Sequence, residues 1–417
     1  MAEENTLQAE IIAIGDELIT GVRLDTNTQW LSERLLECGA TVAFHTTVGD
    51  DLANNVTAFR TAVERADIVV CTGGLGPTAD DLTREVLAKT AGVALKTDEP
   101  SLRHIESLFA SRGRQMPERN RLQAQFPEGA KPIPNEHGTA PGIAMSIKRT
   151  NDGECRVYAL PGVPAELKPM WSTSIAPEII AAQSEPKITV HRRLKCFGTG
   201  ESRLEEMLPD LIARGRDPVV GITVSNATIT LRATTSGPNE VACLEKLEPT
   251  LAIIREKLGT LVYGEEDDEL EDALLKLLSD RIQTLSVAEW ATGGLITERF
   301  GLADESAVFV GGIAVRSLKQ AEHLLGVDLK NDPNTSELAV ALAQAVREQS
   351  ATDFGLGLSA FPPDRNEPNA HVYAAVATSE GVRKTRFACA SHPAIVRART
   401  AKQAMNFLRL ILLDSQV

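Results

Sequence analysis

The sequence predicts an α/β protein. An N-terminal doubly wound, mostly parallel sheet is followed by a small α/β module and a second α/β domain. Three observations carry that prediction. Over the first hundred residues, short apolar runs alternate with stripes of helical period. The loops between them are short, which suits strand–helix–strand units in one parallel sheet. The chain of 417 residues has room for two or three domains at ~150 residues each, with no internal repeat or low-complexity tract.

The elements follow in order. Residues 9–14 (AEIIAI) are a buried strand, closed by the loop GDELITG (15–21). Residues 27–38 read as a helix with Leu31, Leu35 and Cys38 on one face and Gly39 as the stop. Residues 40–48 are a second strand. Leu52, Val56, Phe59 and Val63 form the stripe of the next helix. ADIVVCT (66–72) is a third strand, GGLGPTADD (73–81) a glycine-rich turn, and a helix runs from about Asp80 to Gly92. Residues 113–142 are rich in Pro, Gly, Arg and Asn and read as loops. RVYAL (156–160) leads into LPGVPAEL (160–167), another strand–turn–helix.

The first domain therefore spans 1–172. A small linking module at 173–262 holds two β-rich stretches around a helix at 201–214 and a helix at 239–257. The last domain, 263–417, has strands at 284–290, 306–315, 353–361 and 371–378. The acidic run GEEDDELED (264–272) reads as a solvated linker that opens a helix, since carboxylates suit a positive helix N-terminus.

Composition narrows the function. The net charge of −14 is a poor footprint for nucleic acid, and 4% aromatic residues offer few stacking platforms. Six scattered cysteines form no C-x-x-C pair. The acidic start has no basic region and no long apolar stretch, and no uncharged run approaches ~18 residues. A cytoplasmic protein is expected, with neither a membrane nor a nucleic-acid partner.

The glycine turn is the strongest site. Gly73, Gly74 and Gly76 allow close backbone approach, Thr78 adds a hydroxyl, and a helix N-terminus follows, which suits phosphate. Taken alone, the same residues also read as a tight turn with capping aspartates. Asp80 and Asp81 repel phosphate unless a divalent cation lies between. Asp16 and Glu17 follow the first strand, and Asp50 and Asp51 the second, so three acidic pairs fall at one sheet edge. The expectation is a metal-assisted site for a phosphate-containing ligand, with Asp16, Asp80 and Asp81 holding the cation. Arg112, Arg114, Arg119 and Arg121 around Asn120 read either as a surface loop or as an anion clamp. His45, His104 and His137 are isolated and read as structural.

These motifs carry a resemblance. Residues 9–172 are similar to the molybdopterin-binding (MoeA/MogA-like) fold, and the whole chain resembles the CinA family of competence/damage-inducible proteins. GDELITG, Asp25-Thr26-Asn27, GGLGPTADDLT, NRLQA (120–124), NEHGTAPG (135–142), LPGVPAEL and FGTGES (197–202) stand in family order. The resemblance implies a metal-dependent ADP-ribose pyrophosphatase in the N-terminal domain and a nicotinamide mononucleotide deamidase fold at the C-terminal end. It implies catalytic roles for Asp81, Asp50 and Glu17, and substrate contacts from Gly73, Gly74, Gly76, Thr78, Asn27 and Asn120. Similar proteins also imply a homodimer. A non-catalytic nucleotide sensor and a pterin-binding protein are the alternatives.

The C-terminal domain departs from the pattern. Deamidases of the family read A-E-S-C-T-G-G, with the serine as nucleophile. Here residues 288–294 read A-E-W-A-T-G-G, with Trp290 at the serine. Arg316 replaces a tyrosine in GGIAVRS, and SAFPPD (359–364) replaces a glycine-rich loop. An indole has no nucleophilic oxygen. The expectation is a retained fold without deamidase activity, Thr292 being the only nearby hydroxyl.

Overall fold

A computed structural model describes residues 7–183, 187–213, 215–327, 332–365, 367, 370–389 and 392–414. The first six residues, on which the reading of the N-terminus partly rests, lie outside that range, as does Arg214 at the end of the expected 201–214 helix. Two compact units divide the chain: residues 1–190 with 236–244, and residues 191–235 with 245–417.

The first unit holds strands β1 (Gln8–Ile14), β2 (Thr41–Val48), β3 (Ile68–Thr72), β4 (Leu95–Thr97), β5 (Gln125–Pro127), β6 (Lys131–Ile133), β7 (Gly142–Lys148) and β8 (Glu154–Leu160). Six of them form one sheet in the order β2-β1-β3-β8-β7-β6. The pairs β1·β2, β1·β3 and β3·β8 are parallel, and β7 and β6 add antiparallel pairs at one side. The expected mostly parallel, doubly wound sheet is present. Alternate residues of the central strands point to opposite faces. Ile12, Ile14, Val69 and Cys71 pack with the helices Leu52–Arg65 and Thr83–Ala91. Ala9, Ile11, Ile68 and Val70 pack with Thr26–Glu37 and with Trp171 and Ile175. Burial on both faces explains why these strands read as unbroken apolar runs. Strand β2, at the sheet edge, alternates and stays largely exposed.

The stretch 113–142 is more ordered than its composition suggested. A short 3₁₀ helix at Glu118–Ala124 leads into β5, which pairs with β4, and β6 pairs with β7. The helix expected from Asp80 begins at Thr83, because Asp80 and Asp81 belong to the turn.

The second unit contains most of a four-stranded sheet, β10-β11-β9-β12, built from β9 (Ile188–Cys196), β10 (Val219–Ser225), β11 (Thr228–Gly237) and β12 (Val262–Glu265). Pro209 divides the expected 201–214 helix into Glu201–Met207 and Pro209–Ile212. A five-stranded sheet follows, β14-β13-β15-β16-β17, from β13 (Leu285–Glu289), β14 (Phe309–Ala314), β15 (Phe354–Leu358), β16 (His371–Ala377) and β17 (Val382–Ala388). Strands β13, β14 and β15 are parallel, and β16 and β17 antiparallel. The 22-residue helix Pro393–Asp414 supplies Ala404, Met405, Leu408 and Leu412 to the core.

The acidic run is more than a linker. Glu269 and Asp272 form a capping box on the helix Leu270–Asp280. Glu266 pairs with Arg193, Glu265 with Arg255, and Glu269 accepts from buried Lys402 (2.8 Å).

In the first unit Glu10 is fully buried on β1, where Arg65 grips it through Nε and Nη2 (2.8 Å each) and Thr46 donates to Oε1 (2.6 Å). Arg65→Ala leaves a buried charge without its cation. Because the arginine is partly solvated, the expected cost is about 2 kcal/mol, less than that of breaking a fully buried pair. Denaturant unfolding of the variant, followed by a first-unit probe such as Trp30 fluorescence, measures it.

Candidate functional site

Parallel strands deliver their carboxyl ends to one edge of a sheet. The loops after β1, β2, β3 and β8 meet there and line a cleft of about 440 Å³. Ile14, Gly15 and Glu17 enter it from β1, Asp50 from β2, Thr72 to Pro77 with Asp80 and Asp81 from β3, and Pro161, Gly162, Val163 and Glu166 from the β8 side.

The turn after β3 is held from inside. Gly73 and Gly74 take φ of 108° and 65°, which side-chain-bearing residues rarely adopt. The Asp81 carboxylate accepts from the amides of Gly76 and Thr78 (2.8 Å each) and from the Thr78 hydroxyl. The Thr83 hydroxyl donates to the Gly73 carbonyl (2.9 Å). Beneath the turn, buried Arg84 donates to the carbonyls of Leu75 (2.6 Å) and Gly76 (3.3 Å). Burial pulls the Arg84 guanidinium down to about 10, with Asp81 pulling the other way. The amide of Gly73 is bonded to Leu160 O (3.1 Å). Among the described residues, the amides of Gly74 and Leu75 have no acceptor.

Asp16 and Asp50 cap each other: the Asp50 amide donates to Asp16 Oδ1 and the Asp16 amide to Asp50 Oδ2, both at 3.0 Å. Burial raises the Asp50 carboxyl above its usual range, against the lowering effect of the Asp16 amide, and the charges of Asp16, Asp80 and Glu17 add to the rise. Glu17 lies 4.0 Å from the exposed Arg23. Asp51 caps the helix Leu52–Arg65 through the Asn54 amide (2.8 Å) and has no place on the cleft wall.

Other expected residues take supporting positions. Asn27 donates from Nδ2 to the Thr72 hydroxyl (3.0 Å) and the Gly162 carbonyl (2.9 Å), joining the ends of β3 and β8. Asn120 is buried behind the wall. It donates to Gln123 (2.9 Å), and Gln123 lines the cleft in its place. Thr78 and Asp16 are likewise absent from the wall. The arginine clamp does not form: Arg121 pairs with Glu118 and Glu106, and none of the four arginines borders the cleft.

Asp16, Asp80 and Asp81 do not fit a resident divalent cation. Asp81 is committed to the turn and Asp16 to Asp50. Among the described residues no three His, Cys, Asp or Glu side chains are grouped to hold a metal ion. What the wall offers is Asp50, Asp80 and Glu17 together with two amides that lack an acceptor. Magnesium-like ions need only one or two carboxylates when a substrate's phosphates supply the other ligands. The wall therefore suits a phosphate that brings its cation with it.

Sequence reasoning passed over Arg84, Gln123 and Glu166. For Arg84 the available signal was a charge among the buried residues Thr83, Val86 and Leu87 of one short helix. Glu166 stood in a quoted motif with no role attached.

Comparison with known proteins places this geometry. Residues 10–181 match the family described as "Probable molybdopterin binding domain", 191–264 match "Damage-inducible protein CinA KH domain", and 267–412 match "CinA C-terminal domain". A CinA-like protein of Frankia casuarinae is 38% identical over 395 residues, covering 90% of this chain and 89% of the relative.

The chain belongs to the CinA family.

A competence-damage inducible protein of Caldicellulosiruptor bescii is 37% identical over 415 residues, covering 97% of this chain and 99% of the relative. Among solved structures, the CinA protein of unknown function from Thermoplasma acidophilum is 35% identical, with a TM-score of 0.38 over 42% of this chain and 100% of that one.

The C-terminal domain of this CinA-family chain closes the positions its sequence called eroded. Trp290 is half-buried against Ala288, Val315 and Leu338. Thr292 is fully buried, and its hydroxyl donates to buried Glu289. Glu289 also accepts from the amides of Ile296 (3.2 Å) and Thr297 (2.8 Å) at the start of the next helix. Ser359, in the altered loop, is buried as well, its hydroxyl donating to Ala360 O (3.1 Å) and accepting from the Tyr373 amide (3.0 Å). Arg316 is exposed.

Arg84→Met keeps the bulk of the side chain and removes its donors. Two carbonyls of the turn then lose their partner, which costs about 1–3 kcal/mol when buried. The expected outcome is a lower melting temperature with an unchanged far-ultraviolet spectrum, and binding of AMP weakened by about tenfold or more in titration calorimetry.

Proposed function

We propose that the N-terminal cleft hydrolyses the pyrophosphate bond of ADP-ribose or a related nucleotide, which enters as its divalent-cation complex. One observation carries the reading: two turn amides without acceptors share a single cleft with a cluster of acidic residues. The wall carries Glu17, Asp25, Asp50, Asp80, Asp81 and Glu166 against a single arginine, Arg23. Such a surface repels bare pyrophosphate and accepts it once a cation offsets the charge.

Within this reading the amides of Gly74 and Leu75 bind a phosphate oxygen. Asp81 and Arg84 keep those amides in place without touching the substrate. Asp80 and Glu17 face the cation side, and Asp50, fixed by the Asp16 amide, orients the attacking water. Water adds to one phosphorus as the bridging P–O bond breaks, giving AMP and ribose 5-phosphate. The cation supplies charge neutralisation on the phosphates.

Purified full-length protein is expected to convert ADP-ribose to these products only with added divalent cation, and chelation should abolish turnover. Asp80→Asn, at an exposed position, should lose on the order of a hundredfold in kcat/KM with little change in melting temperature. Full activity in that variant rejects the assignment.

The match to a molybdopterin-binding description supports a second reading, in which the same cleft holds a phosphate-bearing pterin without turnover. Binding of a pterin phosphate by a protein inert toward ADP-ribose favours it.

For the C-terminal domain we propose a retained fold without nicotinamide mononucleotide deamidase activity. Trp290 supplies no nucleophile, and the hydroxyls of Thr292 and Ser359 are buried and bonded. Ammonia release from nicotinamide mononucleotide should stay at the uncatalysed background. Turnover that disappears in Thr292→Val shows instead that the threonine has taken over.

A further inference from the structure

The proposed hydrolysis leaves Glu166 without a part. This residue lies in the first turn of the helix Pro164–Met170, beyond β8, and its side chain lines the cleft. Its position is built rather than incidental. Asn135, only 2% exposed, donates from Nδ2 to Glu166 Oε2 (2.7 Å) and to the Ala140 carbonyl (2.9 Å). Asn135 Oδ1 accepts from the amides of His137 (3.1 Å) and Gly138 (2.9 Å). A Cβ at Gly138 would crowd both oxygens of the Glu166 carboxylate and force that group to shift. Oε2 is held by Asn135, and among the described residues Oε1 has no hydrogen-bond partner.

Sheet order fixes where this carboxylate stands. With neighbouring strands ~4.8 Å apart, the order β2-β1-β3-β8 puts the β8 end one spacing beyond the glycine turn and roughly 14 Å from the β2 end that carries Asp50. The β8 end from which the Glu166 helix departs is thus across the glycine turn from the β2 end that carries Asp50. Glu166 belongs to no grouped metal ligand set among the described residues. An ionised carboxylate accepts hydrogen bonds and repels phosphate. A group about one strand spacing past a bound phosphate, able to donate to it, is a hydroxyl of the attached sugar. Acidic side chains hold ribose hydroxyls in this way in other doubly wound sheets.

We propose that Glu166 accepts a hydrogen bond from a ribose hydroxyl and makes the cleft selective for ribose over deoxyribose phosphates. The inference rests on the nucleotide reading of the cleft, though not on hydrolysis. Asn135 is a positioning residue that orients the carboxylate.

Titration calorimetry on the full chain with magnesium tests it, using two pairs of probes: AMP with 2′-deoxy-AMP, and ribose 5-phosphate with 2-deoxyribose 5-phosphate. In the wild type the ribo form of at least one pair should bind about tenfold tighter, the usual worth of a hydrogen bond to a charged group. Glu166→Ala should bring that ratio within about twofold. Glu166→Gln, which keeps an acceptor for Asn135 and so preserves the loop, should give an intermediate ratio. Equal binding of both forms by the wild type overturns the inference, as does a ratio that survives in Glu166→Gln unchanged. Turnover of ADP-ribose without ribose selectivity removes this inference and keeps the hydrolase. Glu166-dependent selectivity without turnover keeps the inference and removes the hydrolase.

Discussion

Parallel pairing of β1, β2, β3 and β8 is the constraint on which the N-terminal cleft depends. In a parallel sheet every strand leaves at the same edge, and each crossover helix returns the chain to the opposite one. Glu17, Asp50, the glycine turn and Glu166 are far apart in sequence, yet they line one opening for that reason. The pairing in turn depends on both faces of the sheet being covered. Ile12 and Val69 pack on one side while Ile11 and Val70 pack on the other. Loss of either layer would expose the strands and scatter the loops.

At that edge the chain manages negative charge in two ways. Some carboxylates are consumed locally. Asp81 takes the amides of its own turn, and Asp16 and Asp50 take each other's. Asp50 nevertheless lines the cleft, together with Asp80 and Glu17. The division has a physical basis. A carboxylate that accepts backbone N–H groups fixes loop geometry and keeps its charge. Buried Arg84 offsets part of the charge from below while holding the turn's carbonyls.

The C-terminal domain shows the opposite outcome from a related beginning. Its parallel strands β13, β14 and β15 also bring a glycine-containing turn to a sheet edge. There, however, the hydroxyls are turned inward, Thr292 to Glu289 and Ser359 to the strand beside it. Glu289 caps the following helix and is fully buried. The motif residues that persist are those that hold the turn, and the fold needs them with or without catalysis.

By itself the sequence determined the strand–helix alternation, the doubly wound sheet, the family and the acidic, glycine-rich loops, because period and turn chemistry are local properties. It also marked Trp290 as unable to act as a nucleophile, since that follows from residue type. The strands β6 and β7 were hidden because proline and glycine beside them looked like loop, and only the pairing of β7 with β8, and of β6 with β7, makes them strands. Asp81 and Asn120 were named from the sequence, but their directions were not legible there. The first turns into its own loop, and the second props Gln123 from behind. Glu166 gained a role only when Asn135, 31 residues earlier, was seen to hold it. Where a side chain points depends on partners brought from elsewhere in the chain, and the tertiary structure alone decides which partners arrive.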